Sequence, residues 1–362
     1  MPDTTPPRIR PDARILLVRL SAIGDIVFAS PLISALRRAC PDGHIAWLVQ
    51  PECSALLDHH PDLDETIVCP MGHWRRLGRE RRIRALSTGI WAMRQTLRLR
   101  RFDLALDLQG LLKSGLLAWL SGAPERIGLG SREGSQWLMT QTLPRGGDPR
   151  RIGSEYLYLA KTLGLCTDAF EMAVYYGPAD AEFAQEMLAR ERLSGGYAVL
   201  CPFTTRPQKH WIEGRWSALA TRLGSDLGLV PVLLGGPADQ RAAARIAGES
   251  EGRLVNLVGR TSLTEAAALI DGAELLVAVD TGLGHMGIAF GTPSLLLFGS
   301  TRPYLDTTRA NARVLYHPLP CSPCKRRPTC GGAFTCMREI QVGEVLTAAR
   351  ELIGRAPQEG AD

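Results

Sequence analysis

The run Ile15-Leu16-Leu17-Val18-Arg19-Leu20 and the turn after it, Ser21-Ala22-Ile23-Gly24-Asp25, decide how the rest of the chain is read. An unbroken apolar stretch of strand length is the pattern of a strand covered on both faces. Beyond the turn, Ile26, Ala29, Ile33 and Leu36 make a helical stripe that ends near Pro41-Asp42-Gly43. Pro31 is awkward inside that helix unless it falls in an early turn, because proline removes a hydrogen bond and crowds the preceding carbonyl. The alternation continues, with strands predicted at Ile45–Val49, Thr66–Cys69 and Asp103–Leu108, the last leading to a helix from about Leu111 to Leu120. Repeated β-α-β implies an α/β protein with a mainly parallel sheet.

Between Leu143 and Glu155 the sequence turns to Pro, Gly, Asp and Arg and reads as part of a link. The second half then repeats the alternation. Strands are predicted at Ala198–Cys201, Val230–Leu234, Leu254–Val258, Leu275–Val279 and Ser294–Phe298. Between them lie a helix Glu213–Leu227, with Trp216, Leu219, Ala220 and Leu223 on one face, another at Asp239–Ala247, and one capped by Ser262 or Thr264 that runs to Ile270. A closing helix is predicted at about Val342–Ile353. Residues 1–150 and 151–362 are thus expected to form two Rossmann-like domains, with the last helix a candidate to pack back on the first. Open α/β halves bind ligands at the carboxyl ends of their strands, in the crevice they face.

Composition permits this. The 362 residues are 45% hydrophobic and 22% charged, enough apolar material for two cores and unlike a disordered or collagenous chain. No apolar run reaches the roughly 18 to 20 residues that span a bilayer, and the Pro-rich Met1–Asp12 lacks the apolar core of a signal peptide. A cytoplasmic protein is expected. The net charge of +5 is uneven: Arg75 to Arg84 holds six arginines and one acid, Glu80, and Arg94, Arg98, Arg100 and Arg101 follow. This is either a solvated helix face or a patch for an anionic surface such as phosphorylated lipid. No nucleic-acid-binding module accompanies it, so nucleic acid is not an expected partner.

Three loops that follow strands carry polar residues suited to chemistry. In Ser21–Asp25, Asp25 is either a helix N-cap or a catalytic base. The absence of GxGxxG there counts against an ordinary dinucleotide-binding domain. In Pro202–Trp211, hydroxyls, backbone N–H groups and Lys209 could hold phosphate, although a merely solvated lysine is the plain alternative. In Asp280-Thr281-Gly282-Leu283-Gly284-His285, small residues opening a helix would let a pyrophosphate approach its N-terminus, against the alternative of a structural histidine.

Nine cysteines in a cytosolic chain argue against a disulfide scaffold. Cys40, Cys53, Cys69, Cys166 and Cys201 read as small packing residues. Cys321, Cys324, Cys330 and Cys336 contain one CxxC and could complete a tetrahedral structural site for zinc or iron, or stay as reduced or redox-sensitive thiols.

These strings together resemble glycosyltransferase family 9, the ADP-heptose:lipopolysaccharide heptosyltransferases. The resemblance runs from about Ile15 to Pro303. It rests on Leu20–Asp25, on Leu106-Asp107-Leu108-Gln109-Gly110-Leu111-Leu112-Lys113-Ser114, on Thr204-Thr205-Arg206 with Lys209-His210-Trp211, and on Asp280–His285. With Trp74-Arg75-Arg76 it is nearest to the heptosyltransferase I branch, from which the C-terminal cysteines depart. The resemblance implies a GT-B fold, two Rossmann-like domains facing each other across a cleft, and inverting transfer of L-glycero-D-manno-heptose from ADP-heptose. The implied acceptor is the Kdo of a Kdo-lipid A at the cytoplasmic face of the inner membrane. By residue, it implies Asp25 as general base, and Thr204, Thr205, Lys209, Asp280, Thr281, Gly282 and His285 as donor contacts. Arg75, Arg76 and Lys113 are implied to meet acceptor carboxylates and phosphates. With cations at the leaving group, no catalytic metal is required.

Overall fold

The computed structural model describes residues 9–301, 303–324 and 326–354. The chain divides into two compact units. The first ends at Asp148 and is rejoined by Gly153–Tyr175, while Pro149–Ile152 and the chain from Tyr176 onward make up the second. The helix Ser154–Thr162, which a division at residue 150 assigns to the second half, therefore lies with the first unit.

The first unit holds strands β1 (Arg14–Val18), β2 (His44–Val49), β3 (Glu65–Val68), β4 (Leu104–Asp107), β5 (Glu125–Leu129) and β6 (Gln141–Leu143). All neighbours pair parallel, in the order β3-β2-β1-β4-β5-β6. The second holds β7 (Tyr197–Cys201), β8 (Val230–Leu233), β9 (Val255–Asn256), β10 (Leu275–Val279), β11 (Ser294–Phe298) and β12 (Ala312–Tyr316). Its order, β12-β11-β10-β7-β8-β9, is the same doubly wound sequence of strands. In each unit the order reverses beside the first strand, between β1 and β4 and between β7 and β10, and such switch points open a crevice at the carboxyl edge.

The apolar runs form strands because both faces are covered. Ile15, Leu16, Leu17 and Val18 are fully buried, the odd positions in one core layer and the even ones in the other. Pro31 splits the expected single helix into Ile23–Ala29 and Pro31–Ala39, and takes the first position of the second, where its missing N–H costs nothing. In the second unit, Trp216, Leu219, Ala220 and Leu223 of the helix Glu213–Leu227 are all buried, and each large apolar side chain so covered contributes about 1.5–3 kcal/mol. Ser262 caps the helix Leu263–Asp271 by accepting from the Glu265 N–H at 3.1 Å, and Glu265 returns a bond to the Ser262 N–H. The closing helix Val342–Ile353 buries Val345, Leu346, Ala349 and Leu352 in this second core. Among the described residues no helix is long and apolar enough to cross a membrane. Cys40, Cys53, Cys69 and Cys201 are buried as expected, but Cys166 is exposed, its thiol donating to Asp168 at 3.4 Å.

Candidate functional site

In the first unit, the turn after β1 puts Asp25 at the third position of the helix Ile23–Ala29, not at its N-cap, which is Ala22. Its carboxylate accepts from the Ala22 N–H at 3.2 Å. The same oxygen, Oδ2, pairs with Nη2 of Arg19 at 2.5 Å. Oδ1 is left for other partners, on a side chain 39% exposed. Arg19 itself is buried, donating from Nη1 to the Leu108 carbonyl at 2.9 Å, and its Nε has no partner. Burial acts against its charge, but the carboxylates of Asp25 and Glu155 outweigh it and hold the guanidinium firmly protonated. Burial pushes the Tyr156 phenol well up, so it stays neutral beside Arg19.

The string Leu106–Ser114 builds the platform under this turn. Asp107, at the end of β4, is fully buried, and its Oδ1 accepts from the Gln109 and Gly110 N–H groups, both at 3.0 Å. Burial raises its pKa against the pull of those donors, Ser114 and Arg19. Gly110 has φ +67°, and a Cβ there would meet the Leu129 carbonyl at 2.5 Å, so glycine is required. The Gln109 side chain accepts from the Leu20 N–H at 3.2 Å, which ties the platform to the strand end that carries Asp25.

Lys113 opens the helix Leu112–Leu120 at this same edge of the sheet. Burial, then the like charges of Arg75 and Arg19, lower its pKa, a repulsion that an anion would relieve. Arg76 is placed differently: it meets His73 at 3.1 Å and Glu80 at 3.9 Å on the exposed side of the helix Met71–Arg79.

In the second unit, the structure joins the Pro202–Trp211 and Asp280–His285 loops. Lys209, in the turn Pro207–Lys209, pairs through Nζ with Oδ2 of Asp280 at 2.6 Å and donates to the Asp280 carbonyl at 3.3 Å. Asp280 Oδ1 faces Nε2 of His285 at 3.4 Å, and Nδ1 of His285 meets the hydroxyl of Tyr304 at 2.7 Å. Burial would raise the Asp280 pKa, but His285 and Lys209 together hold it far below the usual carboxylate range. Tyr304, buried, has its phenol pushed well up and stays neutral. His210 fixes the loop through the Thr204 carbonyl at 2.8 Å, leaving Thr204 half-buried and Thr205 exposed.

Thr281 is the N-cap of the helix Gly282–Phe290. Gly284, read from sequence as room for pyrophosphate, serves packing instead: a Cβ there would meet Leu296 at 2.9 Å and Ala278 at 3.0 Å. The helix thereby lies flat on β10 and β11.

Among the described residues no group of three or more His, Cys, Asp or Glu is placed to hold a metal ion. Cys336 is buried in the second core with Met337, its sulfur 2.7 Å from where a Gly299 Cβ would sit, whereas Cys321 is exposed. Cys330 accepts from the Phe334 N–H at 3.4 Å.

Two residues of these clusters escaped the sequence reading. Arg19 was hidden in an apolar run, where a lone charge is itself a signal that a partner must exist. Tyr304 lies outside every string, with no local signal.

The model of glycosyltransferase family 9 (heptosyltransferase) matches residues 90–333. The chain is 31% identical over 319 residues to lipopolysaccharide heptosyltransferase 1 of Pseudomonas aeruginosa, covering 88% of this chain and 87% of that one. The solved family 9 glycosyltransferase of Veillonella parvula superposes with a TM-score of 0.83 over 95% of this chain and 98% of that one, at 22% identity. Escherichia coli heptosyltransferase WaaC, solved with ADP-2-deoxy-2-fluoro heptose, superposes with a TM-score of 0.70 at 25% identity, over 93% and 99%.

Proposed function

We propose, from the premise that this chain belongs to glycosyltransferase family 9, that it moves L-glycero-D-manno-heptose from ADP-heptose to the Kdo of a lipopolysaccharide inner core. The relative named for first-heptose transfer and the solved enzyme holding an ADP-heptose analogue support both halves of that reading. The observation that carries the chemistry is the state of Asp25: one oxygen is held by Arg19 and Ala22, and the other is left to receive a proton.

In the proposed reaction, Oδ1 of Asp25 takes the proton from an acceptor hydroxyl as that oxygen bonds to the anomeric carbon of heptose. The bond from that carbon to the β-phosphate oxygen breaks, its electron pair leaves with ADP, and the configuration inverts. Arg19 fixes the carboxylate's direction and keeps it from swinging back over the helix. Lys209, with Thr204, Thr205 and the helix start at Thr281-Gly282, would stabilise the charge that grows on the departing diphosphate. Asp280 and His285 hold Lys209 in place, so an incoming phosphate meets an ammonium already oriented. Arg75 and Lys113 would meet the acceptor's acidic groups at the cytoplasmic face of an anionic membrane.

Purified protein given ADP-heptose with Kdo2-lipid A, or with core already carrying one heptose, tests this. Release of ADP with the first acceptor is expected. Turnover only with the second would move the chain to second-heptose transfer, and none with either would reject the reading.

A further inference from the structure

Three helices of the first unit, Met71–Arg79, Ile83–Arg98 and Leu112–Leu120, present an outer surface of which the proposed reaction uses only Arg75 and Lys113. On Leu112–Leu120, the side chains of Leu112, Leu116 and Trp119 recur at i, i+4 and i+7, which places them in one ridge, and all three are exposed. Trp137, 85% exposed, stands beside them in the short turn Ser135–Leu138. That turn is pressed against the ridge helix: a Cβ on Gly115 would lie 2.7 Å from Ser135 Cβ, and Leu112 reaches 3.9 Å from a Cβ on Gly134. On the neighbouring helix, Arg84, Trp91 and Arg98 follow at steps of seven and so share a face, with Trp91 57% exposed. Arg98 crosses Gly122 at the far end of the ridge, its Nε 3.3 Å from a Cβ there, and Lys113 with Arg75 marks the near end.

Monomeric proteins rarely leave a run of large apolar side chains open to water without a use for it. The charge around this one says what covers it. The three helices carry seven Arg or Lys and no Asp or Glu. A second copy of the chain would bring the same cations face to face. An anionic lipid surface would meet them with phosphates, accept leucines at the headgroup–acyl boundary, and seat tryptophan rings where they settle best.

We propose that the ridge Leu112–Leu116–Trp119, with Trp137, is the surface by which the protein docks shallowly on an anionic bilayer. This rests on the reading that the acceptor is a membrane lipid, because docking then holds the enzyme where the acceptor is anchored.

The test is flotation with vesicles of phosphatidylethanolamine and phosphatidylglycerol, compared with phosphatidylcholine alone. Wild type should float with the first at low salt and far less with the second. The variant Leu116→Gln/Trp119→Gln/Trp137→Gln, altered only at outward positions and checked by melting temperature, should lose at least tenfold in vesicle partition. It should keep the wild-type rate on a water-soluble, deacylated acceptor and slow on the vesicle-embedded one. Equal flotation of variant and wild type would overturn the proposal. So would a wild-type dimer in solution that the variant abolishes, which would assign the ridge to a second copy. If neither protein turns over the soluble acceptor, the transfer reading fails while flotation still decides the docking surface.

Discussion

Arg19 and Asp25 meet at 2.5 Å, one buried at the end of a strand and the other in the first turn of the helix that follows. The pair makes the structural and catalytic parts of Asp25 separable. Asp25→Asn keeps an oxygen for the Ala22 N–H but leaves a buried cation without its anion. It should lose about 10²- to 10⁴-fold in kcat, and roughly 1 kcal/mol of stability, less than for a fully buried pair because Asp25 is partly solvated. Adding Arg19→Met should return the stability and none of the turnover, since removing both charges costs less than orphaning one. Melting temperature and kcat on both variants check this. A fully active Asp25→Asn protein would reject Asp25 as the base.

Lys209→Ala should weaken ADP-heptose binding and slow transfer by the equivalent of about 1.5–3 kcal/mol, the worth of a charge-assisted hydrogen bond. Lys209→Arg should rescue in part, a planar fork being a poor fit where a compact ammonium sits. Tyr304→Phe removes the hydroxyl that meets His285 Nδ1 and should raise the donor KM by less than Lys209→Ala does. Calorimetric titration with ADP and steady-state rates would rank the three.

Arg75 and Lys113 repel as like charges, whereas Arg76 is occupied by His73 and Glu80. Neutralising the first two should therefore raise the acceptor KM, spare ADP affinity and flatten the dependence on salt. Arg76→Ala should do little. Equal effects from Arg76 and Lys113 would return the whole cluster to a solvated face.

Stability should fall on mild acidification through one residue. His60 is buried, edge-on to Tyr175 with ring centres 4.8 Å apart, and burial lowers its pKa to about 4. An unfolded chain takes up that proton near pH 6.5, so between pH 6.5 and 4 the unfolded state holds more protons and stability drops as pH falls. The loss should be about 2 kcal/mol by pH 5 and flatten below pH 4. Denaturant titrations of wild type and His60→Phe at pH 7 and pH 5 would show the slope only in wild type.

The sequence was most legible where burial is two-sided. Leu275–Val279, Ser294–Phe298 and Glu213–Leu227 were read to the residue, because an unbroken apolar run or a clean helical stripe has one stable outcome. Gln141–Leu143 and Ala312–Tyr316 were missed for the converse reason. Each is an edge strand, half-buried, and its polar side chains break the pattern. The resemblance singles out Asp25, Lys209 and Asp280, but spacing could not say that Lys209 and Asp280 pair across 71 residues or that Arg19 anchors Asp25. The four C-terminal cysteines do come near one another, as their spacing suggests, yet among the described residues they form no group placed to hold a metal ion.

The return of Gly153–Tyr175 to the first unit has a consequence for synthesis. Tyr156, Leu159, Ala160, Leu163, Leu165 and Phe170 all belong to the core beneath β1 and β2. A nascent chain that has delivered all six strands of the first sheet still lacks one wall of that core. It must wait on the ribosome, a second or more at about 5–20 residues per second, for the segment up to Tyr175. During that interval the apolar face of β1 and β2 is open, which makes it the natural moment for a chaperone to bind. A fragment cut at residue 150 would stay in that state for good.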